Sequence, residues 1–235
     1  MKTLVLMYHN VVNSDKDLHL YDVSLKSFKK QIECLRNTHD AIRDIILTFD
    51  DGYSFWANEA LDIIKRNGLK AYFFVCLEFL KNGSITREDI IKLKKNGMII
   101  GSHGMRHRFL HKLSEGEVLY ELNESRNILE DIIQGEIEYF SVPRGVHNKK
   151  ILKIAQDAGY KKIFISEAGL NTEDSFIMKR IPIRRDTSLV DFKNIVEGKG
   201  IRKQVFNQKM KDLGKRILGI ENYNRIRKVL VPRAE

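Results

Sequence analysis

Two adjacent carboxylates and two histidines four residues apart are the side chains of this sequence best suited to metal chemistry. Asp50 and Asp51 stand in ILTFDDGYSFW (45–55), and His103 and His107 stand in GSHGMRHRFLH (101–111). Ile45, Ile46, Leu47 and Phe49 read as a buried strand ended by a turn at Gly52, so both acids fall where that strand opens into a loop. Adjacent carboxylates repel, and a strand end is a costly place to desolvate them. A divalent cation removes that cost. Two neutral imidazoles and one carboxylate suit Zn2+ and related ions, and three protein ligands leave a position for water. The spacing of His103 and His107 puts both rings on one side if they share a helical turn, with Gly101 and Gly104 letting the backbone bend around the ion. Neighbouring strand residues point different ways, so Asp50 and Asp51 cannot do the same job. One ligates the metal and the other stays near the water as general base.

The elements that must position these groups alternate along the chain. Strand-like runs at 4–8, 44–49, 69–76, 98–102, 137–142, 160–166 and 176–183 are separated by helical patterns, among them 24–36, 58–68, 86–97, 114–133 and 148–159. Thr86 with Asp89 and Ser114 with Glu117 are capping signatures, while Gly68 and Gly97 mark helix ends. Strands separated by helices of this length form parallel βαβ units, about seven of them, in an open doubly wound sheet or a closed barrel. Either architecture gathers functional residues at the carboxyl ends of the strands. Tyr8–His9, Asp50–Asp51, Ser102–His103 and Ser141–Pro143 all fall at predicted strand ends and would share one face.

The 235 residues suffice for one large domain, and a hydrophobic fraction of 43% with only 3 prolines argues for a packed core. Cys34 and Cys76 lie in apolar patterns without CxxC spacing and read as buried thiols rather than a disulfide. The opening MKTLVLMYHN is too short in its apolar run for a secretory signal, and no window approaches a membrane span. A cytoplasmic protein is expected. Residues 199–235 carry 11 Lys/Arg against 3 Asp/Glu, a charge of +8 out of the chain's +10. A body near neutrality with a basic tail is unlike a nucleic-acid-binding domain, and no nucleic-acid partner is expected. In the tail, Phe206, Met210, Leu213, Ile217 and Ile220 form an amphipathic stripe among lysines. It suits either packing on the barrel, which Gly214 and Gly219 favour by interrupting a helix, or peripheral contact with the inner face of an anionic membrane.

On these motifs the chain resembles the polysaccharide deacetylases of carbohydrate esterase family 4, with the NodB homology domain. TFDDGY looks like the family's first motif and GSHGMRH its second; AYFFV (71–75) is similar to a conserved strand, and YFSVPRG (139–145) takes the place of the third motif. The resemblance covers residues 1–198. It implies a distorted (β/α)7 barrel that removes N-acetyl groups from a saccharide, an N-acetylhexosamine glycan or lipid-linked precursor, with a divalent metal, Zn2+ by preference. By position it implies that Asp51, His103 and His107 bind the metal and that Asp50 is the base. An amide near Arg144 would stabilise the oxyanion. Apart from the resemblance, the place of Tyr53 and Trp56 just after the DDG turn suits stacking on a sugar ring, and packing of the following helix explains Trp56 equally well. The family's third motif usually begins with an arginine that orients the base; here the position is Ser141, which leaves Arg180, Arg184 or Arg185 as replacements. The general acid usually comes from a C-terminal Leu-x-His, yet the last histidine here is His147. LMYHNV (6–11) resembles the opening of the exopolysaccharide-associated branch, which makes His9 the candidate acid. His19, His39, His111 and His147 receive no role. The competing reading is a non-catalytic glycan-binding or assembly protein on the same fold.

Overall fold

A computed structural model describes residues 2–16, 18–36 and 44–218. The strands are β1 (Thr3–Tyr8), β2 (Asn10–Val12), β3 (Asp22–Ser24), β4 (Asp44–Asp51), β5 (Ala71–Val75), β6 (Ile99–Ser102), β7 (Tyr139–Ser141), β8 (Lys162–Ile165), β9 (Ile177–Lys179) and β10 (Ile181–Pro182). The helices are α1 (Leu25–Arg36), α2 (Glu59–Arg66), α3 (Leu77–Lys81), α4 (Arg87–Lys95), α5 (Glu115–Ile133), α6 (Lys149–Asp157), α7 (Leu189–Val196) and α8 (Ile201–Leu218). One sheet runs β10-β1-β4-β5-β6-β7-β8-β9, with every neighbouring pair parallel. Its two end strands are halves of one strand. β9 pairs with β8 and β10 pairs with β1, and the chain passes between them through the single residue Arg180. Counted so, seven strands form a ring closed by a split strand, the distorted (β/α)7 barrel.

Strand alternation divides the core in two. Leu4, Leu6, Leu47, Phe49, Phe73, Ile100, Phe140, Ile163 and Ile165 face outward and pack against the helices. Val5, Phe74, Phe164 and Met178 fill the barrel interior, with Ile46, Tyr72 and Tyr139 against them. Gly101 belongs to the inward set: a Cβ there would lie 2.6 Å from the Phe74 ring and 2.9 Å from the Tyr139 carbonyl, so only glycine fits. Continuing the inward rows upward leads to His9 from β1, Asp50 from β4, His103 beyond β6, Ser141 from β7 and Arg180 between β9 and β10. The barrel's apolar plug ends in a polar layer at the carboxyl ends of its strands.

Both capping boxes form as the sequence predicts. β4 runs through Asp51 instead of ending before the acids. The parallel pair β2–β3 and α7 were not anticipated; strands of three residues are too short to show a period. No disulfide joins the cysteines. Trp56 is fully buried and donates its indole N–H to the His9 carbonyl at 2.9 Å, so it cannot stack on a sugar.

The tail corrects a second expectation. α8 runs through Gly214 without a break and docks by a face one residue away from the predicted stripe. Ile201 is buried, Val205 packs beside it, and the Gln208 amide accepts from Ala168 N at 2.7 Å and donates to Ser166 O at 3.1 Å. Phe206, Met210 and Leu213 stay 63%, 51% and 48% exposed. The reason is geometric. The loop after β8 offers backbone polar groups, which a glutamine satisfies and an apolar side chain would leave bare. Ile220, Gly219, the rest of the tail to 235, and His39 lie outside the described residues. No described helix is long and apolar enough to cross a membrane.

Candidate metal centre and active site

β4 delivers both acids to the barrel mouth. Asp51 has a φ of 86°, costly for a residue with a Cβ, and this breaks the alternation that would send its side chain away from the mouth. The loop after β6 brings the histidines. His103 extends the strand pairing by donating its N–H to Val75 O at 2.9 Å, and Gly104 turns the chain with a φ of 77°. The histidines do not share a helical turn as the spacing suggested: residues 103–109 form a loop, with His107 at a φ of 49°. That loop is held by the carboxylate of Glu121, buried on α5, which accepts from Met105 N at 2.8 Å and Arg106 N at 3.0 Å.

Asp51, His103 and His107 converge so that one ligand atom from each lies within 4.8 Å of the others. His103 Nδ1 is 2.8 Å from the Ser141 carbonyl, which can only accept, so Nδ1 carries the proton and Nε2 presents a lone pair. That lone pair sits 3.5 Å from Asp51 Oδ1, and His107 Nε2 sits 3.2 Å from the same oxygen. Asp51 Oδ1 is buried with no hydrogen-bond partner. Acceptors facing one another in a buried site repel unless a cation lies among them. The donor set therefore fits a divalent metal, and the Ser141 carbonyl fixes a ligand ring as outer partners of metal sites do.

Asp50 is held quite differently. Arg180 grips it through two parallel bonds, Nη1 to Oδ1 at 2.7 Å and Nη2 to Oδ2 at 2.8 Å, and Ser141 Oγ donates to Oδ2 at 3.0 Å. The Arg180 guanidinium is 0% exposed and spends all five donors: the other three go to Ile165 O, Thr48 Oγ1 and Ser141 Oγ. Burial pushes the Asp50 carboxyl up, but the Arg180 guanidinium, by its charge and its hydrogen bonds, outweighs it and holds it below its usual range. Arg180 is thus the arginine that reaches Asp50, from the split strand. Arg184, the other residue expected to orient the base, does not. It stands past the end of β10 with its guanidinium 5.4 Å from the Tyr21 ring, and Arg185 bonds Leu18 O.

The remaining predicted residues surround this pair of acids. His9 stacks on Tyr21 at 4.4 Å, and its Nδ1 is buried without a partner. Burial lowers its pKa; the charges of Asp51 and Asp50 pull it back only in part. Tyr53 Oη lies 3.4 Å from Asp51 Oδ2. Arg144 sits at a φ of 61° and donates its Nε to His107 O at 3.1 Å. Asp51, His107 and Arg144 are three of the four non-glycine residues with positive φ among those described. Strain of this kind collects at functional sites.

Two contributions were missed by sequence reasoning. Ser141, placed on the functional face by its strand end but given no role beyond the absence of an arginine, donates to Asp50 through its hydroxyl and orients His103 through its carbonyl. Glu121 left a signal: it interrupts the apolar stripe Val118, Leu122, Leu129 of α5, and a charge on a buried helix face needs partners.

The profile of the polysaccharide deacetylase family matches residues 38–163, more than half of the chain and inclusive of both acids, both histidines and Ser141. The chain belongs to the polysaccharide deacetylase family. Among curated relatives of this family, the Bacillus subtilis protein YxkH is 24% identical over 188 residues, 74% of this chain and 67% of its own. A chitin deacetylase of Arthroderma benhamiae is 31% identical over 131 residues, 55% of this chain and 34% of its own. The chain thus spans from about a third to two thirds of the length of these relatives. Among solved structures, the deacetylase PplD of Streptococcus pyogenes superposes with a TM-score of 0.72 at 22% identity, covering 81% of this chain and 96% of that one. IcaB from Ammonifex degensii gives 0.72 at 19% identity over 83% and 97%. Both likenesses show that the deacetylase barrel is the fold of this chain.

Proposed function

We propose that this protein is a metal-dependent hydrolase that removes N-acetyl groups from a saccharide. The observation that carries the reading is the pairing, in one mouth, of a three-ligand cluster with a separate carboxylate kept ionised by Arg180. Asp51, His103 and His107 would hold the metal, and two imidazoles with one carboxylate favour Zn2+. When bound, the metal supplies Lewis acidity toward the acetamide oxygen and the attacking water.

The chain's own groups divide the remaining work. Asp50, ionised and with a lone pair left free on Oδ1, takes the proton from the water that attacks the acetamide carbon. The Arg144 amide and the Tyr53 hydroxyl border the place where the oxyanion forms. His9 is the candidate to protonate the leaving amine. Burial keeps it neutral at rest, so the proton it delivers must arrive during the cycle, and Asp50, having just taken one, is the source we assign. LMYHNV favours the exopolysaccharide-associated branch.

The test is acetate release from N-acetylglucosamine oligomers. Protein loaded with Zn2+ should release acetate, dipicolinate should abolish it, and added Zn2+ should restore it. A tightly bound metal without release from any oligomer would favour the glycan-binding alternative.

A lipid-linked substrate at a membrane surface is the finer reading, supported by α8. Gln208 ties this helix to the loop after β8, at the mouth end of the barrel, and its Phe206, Met210 and Leu213 face solvent beside Lys203 and Lys209. Sedimentation with vesicles containing anionic lipid should be lost in Phe206→Glu/Met210→Glu and in high salt, while hydrolysis of soluble oligomers is retained. Sedimentation unaffected by the two substitutions would remove this reading.

A further inference from the structure

Four described arginines have carboxylate partners: Arg87 with Asp131, Arg108 with Glu117, Arg126 with Glu130 and Arg180 with Asp50. At the mouth of the site stand two that have none among the described residues. Arg184 follows Ile183, which is buried in the outer core and donates its N–H to Met7 O at 2.8 Å. Alternation therefore sends Arg184 to the side on which Arg180 lies, one step above the polar layer. Its guanidinium is 5.4 Å from the Tyr21 ring centre, and the other neighbour of that ring is His9. Its backbone is fixed, with Arg184 N donating to Thr187 Oγ1 at 3.0 Å and Arg185 N to Leu20 O at 3.2 Å. Its Nε is buried and has no acceptor. Against His107 stands Arg144, with Cζ 5.5 Å from the ring centre of Phe109, which is itself 39% exposed.

A buried guanidinium N–H without an acceptor is a group awaiting one. The hydroxyls of a neutral amino sugar could fill the hydrogen bond but would leave the charge uncompensated. An oxyanion answers both needs, because its paired oxygens match the fork of a guanidinium held over an aromatic ring. We propose that Arg184, with Arg144 across the mouth, binds an anionic substituent, a phosphate ester or a carboxylate, carried by the saccharide whose acetamide is hydrolysed. Arg184 is then a specificity residue and not an orienter of Asp50. This rests on the deacetylase reading above.

The test compares three substrates of equal length on Zn2+-loaded protein: the N-acetylglucosamine tetramer, the same tetramer bearing a 1-phosphate, and a tetrasaccharide alternating N-acetylglucosamine with N-acetylmuramic acid. The wild type should favour one anionic substrate over the neutral one by about tenfold or more in kcat/KM, the worth of a charge-assisted hydrogen-bond pair, and which one it favours identifies the source of the charge. Arg184→Gln should erase that ratio chiefly through KM, and Arg184→Lys should keep part of it. Equal rates on all three in the wild type, or an equal fall on all three in Arg184→Gln, would overturn the proposal, the second by showing a merely structural role. If no substrate releases acetate, the deacetylase reading fails instead. Titration of the same sugars into the unreacting protein then decides on anion binding: tighter binding of an anionic sugar that Arg184→Gln abolishes supports it, and equal affinities refute it.

Discussion

Replacing Arg180 with methionine should cost about 3–5 kcal/mol of folding stability at pH 7, the penalty for leaving a buried charge without its partner. The urea midpoint reads it. The size follows from how completely the guanidinium is used: all five of its donors are satisfied inside the barrel, and Asp50 depends on two of them. The pH dependence has a definite sign. In the wild type the Asp50 pKa is lowered, so its contribution to stability is present above the unfolded value near ~3.9 and is lost as pH falls through the folded one. Without Arg180, burial dominates and the folded pKa rises above the unfolded value. The variant's deficit should then be largest at neutral pH and shrink toward pH 4, where Asp50 takes up a proton. Adding Asp50→Leu to Arg180→Met should return much of the lost stability, since an apolar pair can replace a buried ion pair at little cost, but no activity. A deficit that is flat with pH, or a double variant no more stable than the single, would show that the pair is not what holds this end of the barrel.

The same pair marks how far the sequence could be read. The alternation of elements and the capping boxes at Thr86 and Ser114 were legible because they are local: each depends on residues within a few positions of one another. The four residues Asp50, Asp51, His103 and His107 were legible because their types are unusual at strand ends. The partner of Asp50 was legible only as one of three arginines, Arg180, Arg184 or Arg185. Arg180 lies 130 positions away, and a basic residue between two short apolar runs looks the same whether its guanidinium points into the barrel or into water. The split at Arg180, which decides between those outcomes, depends on β8 and β1 both being in place. The conformation of the His103–His107 loop was likewise hidden, because it rests on Glu121 of α5 and on φ values that only the closed structure imposes. The face by which α8 docks turned on Gln208, which no apolar periodicity would single out.

Asp50→Asn should lower kcat for acetate release by about 10²–10⁴, the range for losing a positioned general base, with metal content unchanged because Asp51, His103 and His107 are untouched. Asparagine nearly matches aspartate in shape, but it cannot accept the water's proton. It also leaves Arg180 without a counter-charge, so folding must be monitored beside the rate. His9→Ala should lower amide hydrolysis about as much, within the range for a general acid. The two roles separate on a substrate whose leaving group needs no proton. Toward 4-nitrophenyl acetate, whose phenolate departs unaided, Asp50→Asn should remain impaired, because the attacking water still requires a base. His9→Ala should be nearly as active as the wild type. Equal impairment of His9→Ala on the ester and the amide would remove the acid role, and would leave His9 as the ring that keeps Tyr21 in place.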